Sequence, residues 1–280
     1  MIATVVLTAV LTYALLSAAP GAVPEANGML GWLGHALVGD FGRAANGSAV
    51  GGLIAARLAV TVPLALLALI LAVLIGGGIG YLAALRPGSI GDRVLSALAE
   101  IGIASPNFWL GMVLALLLAT TLHWLPPGGF VPWQDNAGAA LVSLLLPALA
   151  LALPAAGALA LRSRDVLSAT AASGPVRGAE ARGLTARDAT LRIGLPFAAL
   201  RIAASVGTQA MAIIAGSVIV ETVFYLPGLG RLILDALDAH DLAVVRGGLV
   251  VFVLLIAGAA FLLALGTAFA DPRARAEQVP

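Results

Sequence analysis

Several apolar runs in this chain reach or exceed the ~18 to 20 residues that a helix needs to cross a hydrocarbon core. Backbone N–H and C=O groups at membrane depth find no water, so such runs satisfy them only as helices. Membrane strands are shorter and alternate polar with apolar residues, a pattern these runs do not show. Six spans are read, at residues 2–19, 58–85, 98–122, 139–161, 197–220 and 247–270. Composition agrees: 61% hydrophobic and 10% charged residues, with a mean hydropathy of +1.05, leave too little polar surface to coat a soluble globule of 280 residues. The expected fold class is an all-α integral membrane protein with six transmembrane helices. The first span has no basic stretch before its apolar core, and Ser17-Ala18-Ala19 resembles a cleavage site. It is read as an uncleaved anchor, because five spans would spoil the charge balance.

That balance sets orientation, since cytoplasmic loops hold more positive charge than exported ones. Arg86 and Arg93 lie in the second loop, Arg162, Arg164, Arg177, Arg182, Arg187 and Arg192 in the fourth, and Arg273 and Arg275 in the tail. The opposite loops hold Arg43, Arg57, Arg231 and Arg246, together with Glu221, Asp235, Asp238 and Asp241. Both termini are expected on the cytoplasmic side.

Every basic side chain apart from histidine is arginine, and cysteine is absent. Without lysine there is no G-x-x-x-x-G-K-[ST] loop, so any nucleotide hydrolysis by that route belongs to another polypeptide. Without cysteine there are no disulfides, thiolate metal sites or thiol nucleophiles. His35, His123 and His240 fall in exterior loops without partners at helical metal-ligand spacing; they are read as surface residues, with a transient site assembled from separate loops left open. No G-x-S-x-G elbow or H-E-x-x-H pair is present, and no catalytic residue is assigned.

The stretch from Arg162 to Pro196 is too long and charged for a simple connection, and too rich in Ala, Leu and Arg for a disordered linker. Two short helices are expected, the first interrupted by Ser173-Gly174-Pro175, the next ended by Gly183, with Thr185 as the following N-cap. Pro196 marks entry to the fifth span. Physically the segment suits either an amphipathic element on the inner leaflet, its arginines on lipid phosphates, or a protein-docking loop.

Candidates for a translocation path are few. Ser205, Gln209, Ala212 and Gly216 recur at helical spacing in the fifth span, a stripe that serves helix packing or, through Gln209, a path. Asn107 follows Pro106, which frees a carbonyl at membrane depth. Glu221 near the exterior boundary is read as a gate contact, a cation site or a cap for its loop. Gly76, Gly77, Gly78 and Gly80 are read as a helix-packing surface.

The segment from Val176 to Pro196 resembles the EAA loop of ATP-binding-cassette importer permeases, whose frame is E-A-A, three residues, G, nine residues, I-x-L-P. Arg177 stands at the Glu position, Ala179 follows, then Gly183 and Ile193-x-Leu195-Pro196. Val176-Arg177, Ala179, Ala181, Gly183 and Leu184 fit the V-R-T-A-R-A-K-G-L version of the dipeptide, oligopeptide and nickel permeases. Further stretches resemble the same family: Gly39-Asp40-Phe41-Gly42-Arg43, Arg57-Leu58 with Thr61, Ser105 to Gly111, and Trp124 to Gly129. So do Glu221-Thr222-Val223-Phe224, Pro227 to Arg231, and Asp271-Pro272-Arg273. The chain departs from the pattern in a shortened exterior segment before Gly39, in Ala44 for a serine, and in Leu242 and Ala243 for Tyr-Pro; these bear on cargo rather than on fold.

The resemblance implies a type I importer permease fold in a single transmembrane domain, residues 1–280. Its parts are a first helix at 1–19, a short exterior segment at 20–57, helices two to four at 58–161, a cytoplasmic coupling loop at 162–196, helices five and six at 197–270, and a tail at 271–280. It implies a bacterial inner-membrane location, a second homologous permease, two cytoplasmic ATPase subunits that bind ATP and Mg, and an extracytoplasmic substrate-binding protein. No cofactor is expected in this chain, and no nucleic acid among its partners. Arg177, Ala179, Arg182, Gly183, Leu184, Ile193, Leu195 and Pro196 are the expected ATPase-coupling residues, and Asn107, Ser205, Gln209 and Glu221 the expected path residues. Expected cargo is a di- or oligopeptide, with nickel or a metal chelate as the alternative. A secondary transporter or channel is the competing class, and a membrane scaffold a third.

Overall fold

The computed structural model describes residues 28–270, so the first expected span and the D-P-R tail lie outside the described residues. Ten α-helices follow in order: α1 (Gly28–Leu37), α2 (Val50–Ala84), α3 (Ile90–Ala104), α4 (Asn107–Leu114), α5 (Ala137–Ala171), α6 (Gly174–Ala181), α7 (Ala186–Ala189), α8 (Leu195–Val223), α9 (Leu229–Asp238) and α10 (Leu242–Ala270). Looser π-helical turns extend α4 over Ala115–Thr121 and join α7 to α8 over Thr190–Gly194. Among the described residues the only extended pairing is an isolated bridge between Arg43 and Ala49.

Within α2, α5, α8 and α10 lie segments long and apolar enough to cross a membrane, and α3 with α4 makes a fifth if the bent pair is one span. The expected continuous third span, 98–122, is therefore corrected: the chain bends by 106° between its halves. The cause is Pro106, which disfavours the α region for the preceding residue; Ser105 sits at φ −89°, ψ 127°. Three other ends move outward. Helix α2 starts at Val50 instead of 58 because Val50 and Ile54 are buried. Helix α5 runs on to Ala171 instead of 161 because Val166 and Leu167 pack against Ala198, Tyr81, Ala84 and Ile202. Helix α10 starts at Leu242 instead of 247, where Asp241 accepts the Val244 N–H at 3.3 Å and Val244 and Val245 are buried.

The chain divides into two compact units. One draws on residues up to Ala65, Ala115–Pro147 and Ile214–Gly258, the other on Leu66–Leu114, Ala148–Ile213 and residues from Ala259. In the first, Val50 and Ile54 of α2, Leu229, Leu232, Ile233 and Ala236 of α9, and Val244 and Val245 of α10 form a buried apolar cluster. Helix α9 was not anticipated, although Leu229, Leu232, Ile233 and Ala236 follow the i, i+3, i+4, i+7 rule. Asp235 and Asp238 lie on its exposed face.

In the second unit glycines bring backbones together. A methyl at Gly76 would collide with the Ala156 carbonyl oxygen, and one at Gly80 would stand 2.5 Å from that of Ala160. Gly157 packs on the Ala99 carbonyl and Gly102 on that of Leu153, which seats α3 against α5. Small residues permit such approach where no water drives helices together. Gly77 and Gly78 face open space.

Candidate functional site

The expected coupling segment closes on itself through local chemistry. Ser173 precedes α6 and Pro175 occupies its first turn, where a missing N–H costs no helical bond. At the other end Leu184 N–H donates to Ala179 C=O at 3.2 Å and Gly183 N–H to Glu180 C=O at 2.9 Å. This is a Schellman closure, with Gly183 at its positive-φ position, φ +96°. Thr185 then caps α7, its Oγ1 accepting from Asp188 N–H at 3.1 Å and donating to Asp188 Oδ2 at 2.7 Å.

The same turn folds apolar residues inward. Val176, Ala179 and Ala189 are buried together, with Leu184 and Ile193 packed against them. Ala179, Leu184 and Ile193 thus meet in one cluster, while Arg177, Arg182 and Gly183 face outward. Leu195 is 39% exposed and Pro196 is exposed in the first turn of α8, so neither joins the cluster. The result is a compact knuckle, apolar inside and cationic outside, hung between α5 and α8.

A cavity of about 280 Å³ lies between α3, α4, α5 and α8, where Asn107 and Gln209 meet Ile103, Pro154 and Ala158. Two path candidates drawn from distant stretches therefore share one site, and its polar groups are neutral amides. Ala212 of the same stripe also lines it. Ser205 stands apart, its hydroxyl turned back to Arg201 C=O at 3.4 Å.

Glu221 is fully buried in the first unit. Its carboxylate accepts from Thr61 Oγ1 at 2.6 Å and from Arg231 N–H at 3.1 Å, while Thr61 Oγ1 accepts from Leu229 N–H at 2.8 Å. These amides belong to the first turn of α9, whose N-cap, Gly228, has no side chain. Glu221 and Thr61 supply the missing cap, the geometry of the capping reading. A side chain at Gly228 would strike the carboxylate. The loop at Gly128-Gly129 joins the same body, Gly129 N–H donating to Phe224 C=O at 2.8 Å.

Two groups had no place in the sequence reading of the site. Asp92 is 2% exposed and accepts from Nε and Nη2 of Arg164, the latter at 2.7 Å, and from Gly88 N–H at 2.7 Å. Arg201, inside the fifth span, is exposed beside a cavity of about 270 Å³ that Thr170 and Ser173 also line. A signal for the first was available: Ser89-x-x-Asp92 before an apolar run is a helix-start pattern.

Four helices among the described residues that are long and apolar enough to cross a membrane, a proline-bent pair that would make a fifth, and a compact cationic knuckle between two long helices fit a multi-pass membrane protein. Residues 76–276 match the family described as binding-protein-dependent transport system inner membrane component, and the chain belongs to that family. It is 34% identical over 248 residues to the oligopeptide transport system permease protein AppB of Bacillus subtilis strain 168, covering 87% of this chain and 78% of that one. Identity to the glutathione transport system permease protein GsiC of Salmonella choleraesuis strain SC-B67 is also 34%, over 222 residues, covering 79% and 70%. The fold resembles that of the MetNI methionine ABC transporter in an inward-facing conformation, with a TM-score of 0.64 at 18% identity, over 78% of this chain and 96% of that one. The protein is a non-catalytic permease subunit of an ATP-driven importer in the inner membrane, with ATP hydrolysis in a separate subunit and a substrate-binding protein as partner.

Proposed function

We propose that this subunit forms half of a path for small peptides, pairs with a second homologous permease, and receives the stroke of two ATPase subunits through residues 174–196. The observation that carries the coupling role is the knuckle itself. Its Schellman turn, Thr185 cap and shared apolar cluster make it stiff enough to pass on a displacement, and Arg177 and Arg182 are turned outward. Acidic groups on an ATPase rim are the complement for those guanidinium forks. ATP and Mg bind in the partner subunits, and closure of the ATPase pair shifts the permease between two arrangements.

Cargo follows from the relatives named for oligopeptide and glutathione transport and from the cavity. Side-chain amides of Asn107 and Gln209 offer both donors and acceptors to a peptide bond, in the neutral setting that a path tolerant of many side chains requires. Glu221 holds α9 in place. The arginine distribution favours a cytoplasmic knuckle side, shared by both termini.

The test is uptake by the four-subunit complex with its binding protein in liposomes, offering trialanine or Ni²⁺. Trialanine accumulation that needs ATP and drops about fivefold or more in Asn107→Ala and Gln209→Ala supports the assignment. Accumulation of Ni²⁺ alone would replace the cargo, and uptake without any ATPase would replace the class.

A further inference from the structure

The Arg164–Asp92 pair lies outside the knuckle of residues 174–196 and outside the cavity, yet it is placed on the elements that join them. Helix α5 runs unbroken over 35 residues from Ala137 to Ala171. At mid-length it lines the cavity with Leu151, Pro154 and Ala158; past its C-terminal end, after a short turn, α6 begins at Gly174. Helix α3 has two ends that matter. Asp92 stands in its first turn, and Ile103 lines the cavity just before the proline break that leads to Asn107.

Between these ends α3 and α5 touch through Gly102 on Leu153 and Gly157 on Ala99. Glycine-to-carbonyl packing sets how closely the two helices approach. The guanidinium fork adds a directional, charged contact. Nε and Nη2 of Arg164 hold both oxygens of Asp92, and Gly88 N–H adds a third donor at 2.7 Å. Two parallel charge-assisted bonds fix orientation as well as distance. With Asp92 only 2% exposed, water is poorly placed to substitute for the fork.

We propose that Arg164 and Asp92 are positioning residues that make α3 travel with α5, so that displacement of the knuckle reaches the cavity wall at Asn107; this rests on the coupling role proposed above. The pair contacts neither nucleotide nor cargo.

This chain has no cysteine of its own to compete for label, and the partner subunits are used in cysteine-free form. Spin labels at Val94→Cys on α3, which is 53% exposed, and at the exposed Arg162→Cys on α5 report the distance between the helices in the complete complex. It is measured nucleotide-free and trapped with ADP-vanadate. The expected result is one unchanged distance in an otherwise wild-type chain, and a shift of about 2 Å or more on trapping in Arg164→Gln and Asp92→Asn. Combined Arg164→Asp and Asp92→Arg, which restores a pair, returns the distance toward the unshifted value. Should Arg164→Gln fail to assemble, Arg164→Lys keeps the charge with a single point of contact and takes its place. A label at Ala172→Cys, paired with one on the second permease, reports the stroke itself. No change there on trapping removes the coupling role. A change there with an unaltered Val94–Arg162 distance in the pair variants removes only the proposal about Arg164 and Asp92.

Discussion

At the residue scale, Gly76 and Gly77 are neighbours in one glycine run with opposite surroundings. A methyl at Gly76 meets the backbone of Ala156, whereas one at Gly77 meets nothing within 4 Å. Gly76→Ala is therefore expected to destabilise by about 1–3 kcal/mol through overpacking. Gly77→Ala is expected to be neutral or stabilising by roughly 0.5–1 kcal/mol through restricted backbone freedom. Thermal unfolding in the same detergent checks both, and equal shifts would contradict the α2–α5 contact. Glu221 offers a second residue-level test. Glu221→Ala removes the cap from α9 and costs ~1 kcal/mol, so amide exchange at Leu229 and Arg231 should speed up about fivefold. Glu221→Gln keeps an acceptor and should lose less; unchanged protection in Glu221→Ala would refute the capping role.

At the element scale the knuckle was legible because its signals are local. Gly183 as helix stop and Thr185 as N-cap lie two positions apart, and each acts through its own backbone neighbourhood. Leu184→Ser is expected to loosen the cluster with Val176, Ala179 and Ala189 by ~1 kcal/mol. Trypsin should then cut after Arg182 about fivefold faster, and an unchanged rate would mean the cluster does not hold the turn. What escaped the sequence is long-range. The stretches at Thr61, Gly128-Gly129, Glu221 to Phe224 and Gly228 to Arg231 each drew notice, but nothing in their order says that they meet around one helix N-terminus. The break after Ser105 was missed although Ser105-Pro106-Asn107 interrupts the apolar run, because a proline inside a span reads equally as a local kink in a continuous helix. Ser89-x-x-Asp92 marks a helix start, but the pairing of Asp92 was invisible because its partner is 72 positions away.

At the scale of the whole molecule, one long helix, α5, runs from a cavity with neutral amides toward the cationic knuckle. Membership of a binding-protein-dependent transport family supports a partner that does work on the knuckle. Co-purification should accordingly bring down an ATP-binding subunit, and Arg177→Glu with Arg182→Glu should weaken that association most at low ionic strength, where exposed charge pairs are least screened. The most direct measurement is ATP hydrolysis by the complex in lipid nanodiscs, with and without loaded binding protein, comparing wild type with Gly183→Pro. Proline removes the Gly183 N–H that bonds Glu180 and forbids the positive φ. The account predicts stimulated hydrolysis in wild type and loss of that stimulation in Gly183→Pro with the complex still assembled. Stimulation of equal size in both would contradict it.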